Sequence, residues 1–116
     1  MMFCNSKFVS LFTDGYGINL TPCSPAVKGS PCNVTCTTPD LSQDVAIKCN
    51  GISQGNCGAL GCTTNMKQLA PDITYFEIGS LSYSSHLCEW SCTYGINNSG
   101  PLNFTIYSKY VEYLHL

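Results

Sequence analysis

Nine cysteines in a chain of 116 residues constrain the possible folds more than any other feature. Eight can close into four bridges. An odd ninth must stay free, hold another group or pair with another chain. Cytosolic reduction would leave such bridges open, so this density points to an oxidising compartment, extracellular or at the cell surface. The length fits one domain, 1–116, with a modest apolar core reinforced by disulfides.

Two cysteine pairs share a design. In Cys32-Asn33-Val34-Thr35-Cys36 the alternation of a strand puts Cys32, Val34 and Cys36 on one face and Asn33 and Thr35 on the other. In Cys88-Glu89-Trp90-Ser91-Cys92 it turns Cys88, Trp90 and Cys92 inward and Glu89 and Ser91 outward. Trp90, between two half-cystines, is the expected core anchor. Residues i and i+4 of a strand lie about 13 Å apart, whereas a disulfide needs Cα atoms within about 7 Å. Cys32 is therefore not expected to bridge Cys36, nor Cys88 to bridge Cys92; the four must pair elsewhere, with each other across facing sheets as one solution. In Cys57-Gly58-Ala59-Leu60-Gly61-Cys62 two glycines permit a tight bend and a local bridge. The expected half-cystines are Cys23, Cys32, Cys36, Cys49, Cys57, Cys62, Cys88 and Cys92. Their pairings number on the order of a hundred. Cys4, near a terminus and outside every cluster, is the candidate for the unpaired or interchain thiol.

Gly, Pro, Asn, Ser and Thr punctuate the chain every ten residues or so, the rhythm of an all-β protein. Expected strands are Phe8 to Thr13, Cys32 to Thr37, Val45 to Cys49, Ile73 to Ile78, His86 to Tyr94 and Leu102 to Leu114. Asn50-Gly51 should close a hairpin. Residues 21–31 read as loop, 51–61 as irregular, Met66 to Leu69 as a short helical turn, and 97–101 as a hairpin loop. Leu102, Phe104 and Ile106 alternate with Asn103, Thr105 and Tyr107, which puts Asn103 outside. Beyond Tyr107 apolar residues occupy both faces; Tyr110, Val111, Tyr113 and Leu114 are candidate interface residues, covered internally or by strand addition to a partner. The expected fold is a small disulfide-stabilised antiparallel β-sandwich with little or no helix, a barrel being the alternative. The pairing of core cysteines with tryptophan is similar to that of immunoglobulin-like sandwiches, although there the tryptophan lies well downstream of the first core cysteine. The resemblance implies sandwich architecture and carries no function.

Four N-x-[ST] sequons, at Asn19, Asn33, Asn97 and Asn103, make N-linked glycans the expected modification, with Asn19 weakened by the following Pro22. Charged residues are only 10% of the chain, arginine is absent and the lysines are scattered. Nucleic-acid binding, which needs clustered cations, is thereby disfavoured. The start has no signal-peptide pattern, so a secreted form is expected to have lost its signal. No apolar run reaches the roughly 20 residues of a membrane-spanning helix.

Cysteine spacing near that of zinc ligands, with His86 and His115, suggests a metal, but the paired CxxC is missing and the sequons favour oxidised sulfur. No metal or other cofactor is expected. Hydrolase, zincin and phosphate-loop motifs are absent, and the carboxylates are dispersed. The reading is a non-enzymatic extracellular glycoprotein module: a structural subunit that associates with copies of itself or docks on a surface partner. The alternative is a soluble secreted inhibitor, toxin or effector that binds a receptor through its loops.

Overall fold

The computed structural model describes residues 17–40 and 42–108. Nine strands and one helical turn follow in order: β1 (Asn19–Thr21), β2 (Cys32–Thr37), β3 (Val45–Cys49), β4 (Ile52–Gly58), β5 (Gly61–Cys62), β6 (Met66–Ala70), β7 (Ile73–Ile78), α1 (Tyr83–His86), β8 (Trp90–Tyr94) and β9 (Asn97–Asn98). They form two antiparallel sheets, β1-β2-β7-β6 and β5-β4-β3-β8-β9, packed as a sandwich without barrel closure.

Period-two burial builds the core. On β2, Cys32, Val34 and Cys36 are buried while Asn33 is exposed. Thr74, Phe76 and Ile78 of β7 line the same sheet, and Val45, Ile47, Trp90, Cys92 and Tyr94 face them from β3 and β8. At the centre Cys36 bridges Cys92 across the sheets, with Cα atoms 6.3 Å apart. Neither cysteine motif closes on itself. Cys32 bridges Cys23, fixing the loop that precedes β2, and Cys88 bridges Cys49 at 5.6 Å. Cys57 and Cys62 are opposed in the β4–β5 ladder and bridge locally at 4.0 Å.

Asn50 and Gly51 both have positive φ, 51° and 80°, as the turn matching the twist of a two-residue hairpin requires. Elsewhere tertiary pairing overrode local signals. Residues 51–61 are not irregular: 52–58 form β4, paired with β3 around a bulge at Gln54. Gly55 serves close packing, since a Cβ there would collide with Met66 Cγ. Met66 to Leu69 is strand rather than helical turn, because Met66 is buried opposite Phe76. The strand expected from His86 begins only at Trp90. Ser82 caps α1 by accepting the Ser85 N–H, and Asn50 pairs with Glu89 through both backbone and side chain.

Of the long C-terminal strand, residues 102–107 keep the expected alternation of burial but form only isolated bridges, Leu102 with Trp90 and Tyr107 with Val27. The segment bonds to a different element at each end, so no ladder continues. The turn expected at 97–101 lies instead at Gly95-Ile96, and Asn97 and Asn98 pair back onto β8. β1 was not anticipated. Phe8 to Thr13, Cys4 and the residues from 109 onward, including Tyr110, Val111, Tyr113, Leu114 and His115, lie outside the described residues.

The registers define two ends. Val45, Cys57 and Tyr94 are aligned at one, together with loops 38–44, 59–60 and 95–96. Cys49 and Trp90 mark the other, together with the Asn50-Gly51 turn and α1. The loop before β2 joins this second end, because Gly29 donates to Leu81, just beyond β7.

Candidate functional site

The sequon residues lie mainly on one sheet face and beside one edge. Asn19 and Thr21 are the outward residues of β1, and Asn33 is an outward residue of β2. Thr21 and Thr35, the hydroxyl residues of these two sequons, stand opposite each other in the ladder. Asn103 and Thr105 are exposed. The Asn97 sequon differs. Ser99 is only 7% exposed, and its Oγ accepts the Cys92 N–H at 3.0 Å. Its hydroxyl is thus part of the internal bonding of the β8–β9 hairpin.

Trp90 is fully buried. Phe104 and His86 lie nearly parallel to its ring at 6.2 and 6.4 Å, and its Nε1–H donates to the His86 carbonyl at 3.1 Å. A ligand cannot stack on a ring with no exposed surface. His86 in turn accepts the Ser82 N–H at Nδ1, 2.9 Å away. Only the neutral imidazole has an acceptor there, so the bond identifies the tautomer. Burial of the ring lowers its pKa below 6.5.

Sequence reasoning missed a polar cluster at the Tyr94 end. The Asp40 carboxylate accepts the Tyr94 hydroxyl, the Ser42 N–H at 2.9 Å and the Ser42 hydroxyl at 2.8 Å. The Tyr94 bond, with the Ser42 bonds behind it, holds the Asp40 pKa below its usual value, and the same carboxylate raises that of Tyr94. Nothing in the spacing of Asp40 and Tyr94, 54 residues apart, signals this. The cluster ties loop 38–44 to β8. Among the described residues no group of three or more His, Cys, Asp or Glu is placed to hold a metal ion.

Large apolar side chains are exposed at several points: Leu60 at the β4–β5 tip, Ile96 at the β8–β9 tip, Ile52 on β4 and Leu69 at the bulge of β6. Near α1, the Lys28 ammonium lies 5.2 Å from the centroid of the half-exposed Tyr83 ring. The glycines flanking Ala59-Leu60 were the available sequence signal for a presented tip; for the Lys28–Tyr83 pair there was none. No helix among the described residues is long and apolar enough to cross a membrane. No protein-family model matches the chain, and no curated protein matches it.

Proposed function

We propose that this chain is a non-enzymatic extracellular glycoprotein module, a structural subunit that associates with copies of itself. The observation that carries the reading is the cysteine balance. All eight cysteines among the described residues are consumed in four bridges within one sandwich, while the sequence contains nine. Cys4 is the remainder, and in an oxidising compartment its sulfur is set to bond a second chain. The outward sequons at Asn19, Asn33 and Asn103 support passage through the secretory route and supply the hydration that a chain with few charges needs.

The described sheet edges are poor templates for strand addition. β5 and β9 have two residues each, β1 has three, and β6 is interrupted by its bulge. Such edges resist pairing with another chain. Association is therefore assigned to side chains and to Cys4 rather than to these edges.

The test is intact mass under non-reducing and reducing conditions for protein made through a secretory host, with and without deglycosylation. A covalent dimer lost on reduction and in Cys4→Ser is the expected result. A sharp monomer with one titratable thiol would refute the subunit reading and favour a soluble ligand presenting its stapled β4–β5 hairpin to a receptor. An unchanged mass on deglycosylation would remove the glycoprotein claim.

A further inference from the structure

The two ends of the sandwich carry complementary chemistry. At the Tyr94 end Leu60 is 104% exposed, at the apex of a two-residue loop. The loop is rigid. Cys57, itself buried, is bridged directly to Cys62 across the ladder, and Gly61 has φ +116°, a conformation that L side chains rarely adopt. A fully hydrated leucine adds nothing to the fold, whereas an anchor held in place loses little conformational freedom on docking. Asp44 packs against Gly58 beside this tip, with Asp40 in the same connecting loop, and both carboxylates are exposed. None of the three described lysines lies in the loops of this end: Lys48 and Lys67 are in strands and Lys28 is at the other end.

At that other end the Lys28 ammonium stands by the exposed Tyr83 ring, and the Lys28 N–H is bonded to the carbonyl of Tyr107, whose side chain is also exposed. Of the described carboxylates at this end, Glu89 belongs to the other sheet's side, beside Asn50, and Glu77 is an outward residue of β7 opposite Asn33. A cation set among aromatic surface complements an aliphatic tip beside carboxylates. The sequon asparagines nearest the Leu60 end, Asn19 and Asn97, are on β1 and β9, the edges farthest from β6 and β5. β9 is four strand spacings from β5, roughly 19 Å, so that attachment point stands away from the tip.

We infer that the two ends bind each other in successive copies: Leu60 and Asp44 of one copy seat on the Lys28–Tyr83 surface of the next. Because the two patches lie at opposite ends, copies stacked end to end meet through a heterologous contact, which produces an open chain or a ring. The inference rests on the self-association reading but not on Cys4.

The experiment uses the full-length Cys4→Ser protein, so that covalent association is removed, and follows its mass by sedimentation equilibrium over a wide concentration range. The mass is expected to rise beyond that of a dimer. Leu60→Asp and Lys28→Glu, each in that background, should weaken association at least tenfold while leaving the melting temperature unchanged, since both sites are at the surface. An equimolar mixture of the two variants should form a one-to-one dimer and nothing larger, because each variant keeps the end that the other has lost. A Cys4→Ser protein that remains monomeric at every concentration overturns the inference, even where the unmutated chain forms a covalent dimer. Association of Leu60→Asp equal to that of its parent, or a mixture that forms no dimer, overturns it as well.

Discussion

Removing the bridge between the sheets should cost far more than removing the bridge at the hairpin tip. Cys36 and Cys92 are 56 residues apart in sequence, Cys57 and Cys62 only 5. On the loop-closure account, the first bridge removes about 4 kcal/mol of conformational freedom from the unfolded chain and the second about 2 kcal/mol. Cys36 and Cys92 are also both fully buried, so truncation to alanine adds a packing loss at the centre of the core. Against a domain stability of roughly 5–15 kcal/mol, Cys36→Ala/Cys92→Ala is expected to lower the melting temperature by roughly 15–30 °C. Cys57→Ala/Cys62→Ala should cost about half as much. The assay is reversible urea unfolding of each double variant, followed by Trp90 fluorescence, with thermal melts in parallel. Equal losses for the two variants, or a larger loss for the hairpin pair, would refute the reasoning, because neither loop length nor burial could then be setting the cost.

Three further outcomes are expected. His86 is held neutral, its pKa below the ordinary 6.5. Its contribution is therefore complete above pH 6.5 and lost as pH falls through the lowered folded value; the melting temperature should drop on acidification below pH 6.5, and His86→Gln should flatten that dependence. Tyr94→Phe removes the leading cause of the depressed Asp40 pKa, so the Asp40 carboxyl, followed by carbon-detected NMR, should titrate at higher pH; an unmoved midpoint would count against the bond. Gly55→Ala places a methyl against Met66 Cγ and Thr63 Oγ1 and should destabilise by about 1–3 kcal/mol in chemical denaturation, whereas a neutral effect would show that Met66 yields freely.

How much of this was legible beforehand depends on whether the signal was periodic or spatial. β2, β3 and β7 could be read because one face of each is buried and the other is wet, which imprints alternation on residues 32–37, 45–49 and 73–78. β4 hid behind two glycines, Gly55 packed on Met66 of β6 and Gly58 on Asp44, and β6 has a sequence whose fate is decided by Phe76 across the ladder. The segment 102–107 kept its alternation without being a ladder strand, since burial of one side needs only a core beneath it. The Asp40–Tyr94 bond, the Lys28–Tyr83 contact and the opposition of the two ends join residues distant in sequence and left no local trace.

The cysteine count, the spacing of the two five-residue motifs and the turn residues were enough to specify an all-β chain in which Cys32 does not bridge Cys36 and Cys88 does not bridge Cys92. Those constraints act within a few residues, through backbone geometry and reach. The choice of partners was made by the stacking of the sheets, which brought Cys36 to Cys92 and Cys49 to Cys88. It also left Leu60 at one end and Lys28 at the other. Side-chain proximity across a sandwich is a property of how two surfaces pack, and only the folded chain determines it.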